Sequence, residues 1–337
     1  MSRSESSGED RVVAETIDLA EIPVIDFSAF AQGKAEVRVK ISRLIARACH
    51  EIGFFYLTGH GVDQNLVDEL FNQSTAFYHL NASERQKVRA TPDWYRGWIP
   101  SPPPAAQSRD TRLFEQYRLQ SEWPSESRPN DPLARIFDRP NRWPDGMPAF
   151  KTACEAYLNA MHTLSIDLLS AFALGLDLPE DRFHSSFVSP PCQLSLLYYP
   201  PLPPEADTDA SNTVSHTDEG PFTILAQGQV GGLEVKRRDG VWIAAPPIPG
   251  AFTINVGDMM MWWSNGVFLS NWHRVRNKSG GERFSIPFFA NPYRDVVVGP
   301  LPEMIEREGV SRYESIKVSD HLARFYEKLE QRAQANV

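Results

Sequence analysis

The sequence predicts an α+β chain, mainly β, with a double-sheet jelly-roll core and flanking helices. Three observations point there. From residue 193 to residue 289, short apolar runs alternate with turn signals: Gly231-Gly232, Asp239-Gly240, Pro246–Gly250 and Ser264-Asn265-Gly266. Short strands at such spacing fit a sandwich or jelly roll. Helical periodicity is concentrated outside this stretch, at 35–52, 63–80, 147–176 and 313–331. Finally, His216 and Asp218 lie two apart and His273 follows 55 residues after Asp218, enough chain for several strands to fold back and gather all three.

In order, residues 1–20 are polar and acidic and read as a mobile tail. Ile22–Phe27 is a short strand with Pro23 at its start. In 35–52, Val37, Ile41, Leu44, Ile45 and Ala48 recur at helical spacing, and Gly53 ends the helix. Phe54–Leu57 reads as a buried strand and Gly59-His60-Gly61 as a turn. A second helix covers 63–80, and Ser83 is a candidate N-cap for the next. Residues 91–112, rich in aromatics, prolines and arginines, read as a loop; Leu113–Leu119 alternates like a strand. Residues 121–146 form a long connection. Over 147–176, Cys154, Tyr157, Met161, Leu164, Leu168 and Ala171 make one apolar stripe, with Gly175 as a C-cap candidate. The expected organisation is a tail (1–20), an N-terminal helical and strand region (21–190), a catalytic core (191–300) and a C-terminal helix (301–337), packed as one unit.

Composition narrows the function. A net charge of −9 argues against nucleic-acid binding, which needs a basic footprint. Three scattered cysteines show neither metal spacing nor a disulfide framework, which fits a reducing cytoplasm. No apolar run approaches the ~20 residues of a membrane span. The expected partner is a small molecule.

The chemistry-bearing residues fall in the second half. On one strand face, His216 and Asp218 would project together. With His273 they make a set of two histidines and a carboxylate that leaves coordination positions open, suited to Fe(II); zinc would accept it too. Ten residues past His273 come Arg283 and Ser285, again two apart. An arginine fork beside such a metal suits a carboxylate bound at both oxygens.

These motifs resemble the isopenicillin N synthase-like branch of the Fe(II)/2-oxoglutarate-dependent dioxygenases. The matching stretches are His216–Gly220, Gly232–Val235, Asn255–Asp258, Ser264–Gly266, His273–Val275 and Arg283–Ser285, with Tyr198–Pro200 upstream and Ile22–Phe27 and Gly53–Tyr56 near the N-terminus. They run collinearly over about residues 21–330. The resemblance implies a double-stranded β-helix of cupin-like type. It implies Fe(II) on His216, Asp218 and His273, and 2-oxoglutarate held by Arg283 and Ser285 with the Tyr199 hydroxyl nearby. O2 would be the oxidant, and ascorbate can stimulate turnover. The family's usual Asn is replaced here by Leu197, which removes one polar contact. Tyr95-Arg96-Gly97-Trp98 resembles a segment near the family's substrate entrance, making Tyr95 and Trp98 substrate candidates. Strand parity adds Ser195, on the face of Tyr199, and Phe289, on the face of Arg283. The implied activity is oxidation of a C–H bond in a small, ring-containing substrate, by hydroxylation, desaturation or ring expansion, in small-molecule or secondary-metabolite biosynthesis. Three alternatives stay open: an Fe(II) oxidase of the same fold without 2-oxoglutarate, a noncatalytic cupin-like binding protein, and a zinc hydrolase.

Overall fold

The computed structural model describes residues 22–101, 113–123, 134–201 and 212–335. The N-terminal tail, Arg109, Arg112, and the acidic pair Asp207 and Asp209 lie outside them.

The N-terminal half supplies the scaffold: β1 (Val24–Asp26), α1 (Ala35–Glu51), β2 (Phe54–Thr58), α2 (Gln64–Tyr78), α3 (Ala82–Lys87), β3 (Gly97–Ile99), β4 (Glu115–Gln120), α4 (Ala134–Phe137) and α5 (Pro148–Gly175). The remainder follows as β5 (Gln193–Tyr199), β6 (Thr213–His216), β7 (Phe222–Gln227), β8 (Leu233–Lys236), β9 (Trp242–Ala244), β10 (Phe252–Val256), α6 (Asp258–Trp263), β11 (His273–Val275) and β12 (Arg283–Ala290). The chain ends in β13 (Val297–Val298), α7 (Pro302–Glu308), β14 (Ile316–Lys317) and α8 (Val318–Ala335).

Two sheets face each other. The larger has eight strands in the order β1-β2-β10-β7-β12-β5-β4-β3, and the smaller four in the order β6-β11-β8-β9. Only the β1–β2 pair of the larger sheet is parallel. This is the expected jelly roll. One face of the large sheet packs under α1, α2 and α5 through Leu119, Leu194, Leu196, Ile224, Ile254, Ile286 and Phe288. The other looks across at the small sheet, where Phe54, Tyr56, Tyr199, Leu233, Val235 and Val275 form a smaller apolar cluster. Alternation along each strand assigns every side chain to one face or the other.

The stripe expected on α5 is buried at Cys154, Tyr157, Met161, Leu164, Leu168 and Ala171. Each large apolar member contributes about 1.5–3 kcal/mol of burial. His162, beside that stripe, sits 2.6 Å from Ser121 Oγ and edge-on to Trp123 and Phe288. Burial drives its pKa down to about 4, so it is a neutral core residue.

Several local readings need correction. The cap of α3 is Asn81, whose side chain accepts from the Glu84 N–H; Ser83 instead donates to Asn81 Oδ1. Gly175 is the last helical residue, with Leu176 as the cap. A Cβ on Gly175 would lie 2.7 Å from the Ser42 carbonyl, so this glycine exists for close approach of α1 and α5. Met259–Trp263, for which the sequence pattern names no element, belongs to helix α6. Trp263 packs on Phe183 and Phe187, while Trp262 meets His321 edge-on. Residues 97–99, read as loop, form an edge strand paired with β4.

Candidate metal centre and anion pocket

His216 is the last residue of β6, and Asp218 lies just beyond the strand's end. The two are thus not on one regular strand, as the spacing suggests, but the chain turns only after both point inward. His273 opens β11 directly opposite His216 in the small sheet. One ligand atom from each of His216, Asp218 and His273 lies within 4.8 Å of the other two. Asp218 Oδ1 is 3.7 Å from Nε2 of each histidine, too long for hydrogen bonds. Two metal–ligand bonds of about 2.0–2.2 Å span that gap, so the donor set fits a single ion.

The surrounding atoms aim these donors. Nδ1 of His216 is 2.8 Å from the Val214 carbonyl, and Nδ1 of His273 is 3.2 Å from that of Asn271. A carbonyl only accepts, so each Nδ1 carries the proton and each Nε2 offers its lone pair. Thr223 Oγ1 and Asn255 Nδ2 both donate to Asp218 Oδ2, at 2.6 and 2.7 Å. That leaves Oδ1 for a cation. Burial pushes the Asp218 pKa up, but the two imidazoles and these hydrogen bonds outweigh it and hold the carboxyl ionised, below its ordinary range. Gly257 makes room for the arrangement: a Cβ there would lie 2.2 Å from the Gly220 carbonyl and 2.7 Å from that of Asp218.

Strand register maps the rest of the pocket. On the inner face of the large sheet, Arg283 pairs with Tyr199, Ser285 with Leu197 and Gln227, and Phe289 with Gln193 and Thr223. Thr223 in turn pairs with Asn255. The cluster of His216, Asp218 and His273 therefore lies toward the level of Phe289, and Arg283 toward the opposite end of β12. Arg283 is 1 % exposed, and its guanidinium stacks 4.6 Å from the centre of the Tyr199 ring. It donates to the Gly231 carbonyl at 3.1 Å, to Ser285 Oγ at 3.1 Å and to Gln227 Oε1 at 3.5 Å. Among the described residues, no acidic side chain pairs with it. Burial pulls its pKa down, and Tyr199 opposes that shift. A buried cation without an acid is costly unless a ligand supplies the anion. The residues thus fit the distal carboxylate of a 2-oxo acid.

The four substrate candidates separate. Ser195 is fully buried on the inner face, its Oγ accepting from Gln116 and Gln193 at 2.7 and 3.1 Å. Phe289 is half-buried on the same face, at the metal's level. Tyr95 is half-buried against Tyr326 of α8. Trp98 lies on the opposite face: it pairs with Tyr117, and its Nε1 donates to Glu115 Oε2 at 2.6 Å on the helix side of the sheet. The structure therefore does not place Trp98 at the pocket. Thr223 and Gln227 are functional-looking residues that motif spacing does not single out, and Asn255 stands in a matching stretch that assigns it no role. Their signal is pairing across strands, which needs the register.

Comparison with known proteins agrees with this geometry. A family model described as the 2OG-Fe(II) oxygenase superfamily matches residues 191–292. A second, the N-terminal model of non-haem dioxygenases in morphine synthesis, matches residues 22–146. A 1-aminocyclopropane-1-carboxylate oxidase of Dictyostelium discoideum is 31 % identical over 85 % of this chain and 86 % of its own. A homoarginine-6-hydroxylase of Oryza sativa subsp. japonica is 32 % identical, covering 90 % and 96 %. The crystal structure of a full-length Neurospora crassa protein in complex with α-KG and thymine superimposes with a TM-score of 0.81 at 26 % identity, over 91 % of this chain and 97 % of that one. Both halves match in the same order, and the relatives align over most of their length. The chain belongs to the 2-oxoglutarate/Fe(II) oxygenase superfamily, in its isopenicillin N synthase-like branch, and uses Fe(II), 2-oxoglutarate and O2.

Proposed function

We propose that His216, Asp218 and His273 hold the Fe(II), that Arg283 and Ser285 hold the distal carboxylate of 2-oxoglutarate beside Tyr199, and that the enzyme oxidises a C–H bond of a small, ring-containing organic molecule. The outcome is hydroxylation or a related oxidation such as desaturation or ring expansion, in small-molecule or secondary-metabolite biosynthesis. The observation that carries this reading is a buried Arg283, with no acid beside it among the described residues, on the same inner sheet face that holds the hydrogen-bond donors to Asp218. Named relatives act on compact organic molecules: 1-aminocyclopropane-1-carboxylate and homoarginine.

Bound iron supplies the oxidising chemistry, coupling loss of CO2 from 2-oxoglutarate to oxidation of the substrate. The chain's own residues orient and protect. The Val214 and Asn271 carbonyls hold both imidazoles in the ligating tautomer. Thr223 and Asn255 restrain the carboxylate to one free oxygen. Arg283 selects a dianionic co-substrate, and the apolar cluster with Leu197, Leu225 and Phe114 excludes water around it.

The test is an anaerobic titration of the Fe(II)-loaded protein with 2-oxoglutarate, followed by the visible charge-transfer band of a chelated 2-oxo acid. The band is expected in the wild type, to need much more 2-oxoglutarate in Arg283→Ala, and to vanish with iron binding in His216→Ala. Iron binding without a band would move the protein to the oxidase alternative.

A further inference from the structure

A second buried arginine faces the same interior. Arg118 lies on β4, at the level of Ser195. Ser285 pairs with Leu197 and Phe289 with Gln193, so Ser195 and Pro287 share the level between them. Arg118 thus stands one level from the metal's end of the sheet. It is two strands across from β12, about 10 Å at the usual strand spacing. Its neighbours on that face are Gln116, Gln120, Gln193 and Ser195, a polar patch in an otherwise apolar interior.

Arg118 is 6 % exposed. Among the described residues it has no acidic partner. Its Nε makes no hydrogen bond, and one Nη donates only a long 3.4 Å contact to Gln116 Oε1. The guanidinium lies against a pair of aromatic rings, 5.7 Å from the centre of Tyr95 and 5.8 Å from that of Tyr326, which pack on each other at 5.1 Å on one side of it. Beneath it the polar groups are tied together: Gln116 and Gln193 donate to Ser195 Oγ, and Tyr326 reaches Gln193 Oε1 at 3.4 Å. The neighbours orient the cation without neutralising it. Other buried arginines of the chain differ: Arg294 pairs with Asp138, and Arg96 has Glu122 at 3.8 Å.

We propose that Arg118 is a specificity-determining residue that binds a carboxylate of the oxidised substrate, so that the enzyme acts on a small organic acid. The proposal rests on the dioxygenase reading for the chemistry, but acid binding at Arg118 is separable from it. Arg283 takes the co-substrate's carboxylate at one end of the face, and Arg118 takes the substrate's on the far side of β5. Held there, an acid's carbon skeleton extends toward the level of Phe289 and the metal ligands. The Tyr95 and Tyr326 rings back the fork on one side, leaving its donors for a planar oxyanion.

The test uses a panel of aromatic and alicyclic carboxylic acids, each paired with its primary amide. Binding is read by thermal stabilisation of the wild type, Arg118→Gln and Arg118→Lys, with and without Fe(II) and 2-oxoglutarate. Acids are expected to stabilise the wild type and their amides not. Arg118→Gln should weaken acid binding about 10- to 100-fold, the range for one charge-assisted hydrogen-bonded pair. Arg118→Lys should recover part of it, because the charge stays and the fork is lost. Amides binding as well as acids, no acid binding at all, or an acid preference that survives in Arg118→Gln would each overturn the proposal. Should Arg118→Gln fail to fold, Arg118→Lys decides, with 2-oxoglutarate present so that the Arg283 site is filled: an acid preference undiminished in Arg118→Lys would overturn the proposal. The 2-oxoglutarate band is recorded in parallel: its absence counts against the dioxygenase reading, whereas its presence without acid preference counts against Arg118 only.

Discussion

At the scale of the residue, the metal centre depends on what restrains Asp218. Its Oδ2 accepts two hydrogen bonds, from Thr223 and Asn255, and only Oδ1 faces the histidines. Removing either donor frees the carboxylate to rotate and leaves a lone pair unsatisfied at a buried site. Asn255→Ala and Thr223→Val are each expected to weaken Fe(II) binding about 10- to 100-fold, the usual effect of losing such a partner. Equilibrium Fe(II) titration under anaerobic conditions measures this; unchanged affinity in both would show that Asp218 is positioned by its backbone alone. The ligands themselves are legible in the sequence because His-x-Asp, a distant His and Arg-x-Ser are local or ordered patterns. Thr223 is not, and the role of Asn255, though it stands in a matching stretch, is not either, since both reach Asp218 only through the pairing of β7 with β10. Arg118 is hidden for a related reason. Gln116, Arg118 and Gln120 alternate with apolar residues on β4, a pattern that ordinarily marks a solvent face. Strand order turns that face inward.

At the scale of the element, packing of α1 on α5 sets how the helical layer backs the large sheet. The Cβ of a residue at position 175 would meet the Ser42 carbonyl at 2.7 Å and the Ala46 Cβ at 2.9 Å. Gly175→Ala forces the helices apart and is expected to cost about 1–3 kcal/mol, as overpacking of a tight contact does. A lower urea midpoint with an unchanged slope would record it, and an unshifted midpoint would show that the two helices yield freely at this point. Gly at a helix end reads as a C-cap from sequence, because a left-handed cap and a close crossing both call for a missing Cβ. Only the partner helix separates them. Similarly, Asn81 and Ser83 are both good cap residues, and the turn geometry chose Asn81. The run Met259–Trp263 is too short for periodicity to distinguish strand from helix. Its first helical bond runs from the Met261 N–H to the carbonyl of Gly257, where the chain leaves β10 against the Asp218 loop. Trp98 went astray by parity: placed on a loop, it has no face, whereas as the partner of Tyr117 it must point to the helices.

At the scale of the whole molecule, the interior holds charges that no described residue neutralises. Arg283 is 1 % exposed and Arg118 6 %, and among the described residues neither meets a carboxylate. An isolated buried cation destabilises a fold, and an apolar group of similar volume is often neutral or better. Stability and function are therefore set against each other at these positions. Ligand should supply what is missing: Fe(II) with 2-oxoglutarate at a hundredfold excess over Kd adds about 2.7 kcal/mol, or roughly 4 °C in Tm for a protein of this size. Arg283→Met removes the cation along with the anion site. Its ligand-free form is expected to melt no more than about 1 kcal/mol below the wild type, even though the Gly231 and Ser285 contacts are lost. Adding 2-oxoglutarate to that variant should no longer raise its Tm beyond the increment from Fe(II) alone. Differential scanning calorimetry on both proteins, with chelator, with Fe(II) and with Fe(II) plus 2-oxoglutarate, separates the contributions. A large loss of stability in ligand-free Arg283→Met would mean that the guanidinium serves as a structural clamp between β12 and the turn at Gly231, with anion binding secondary to it.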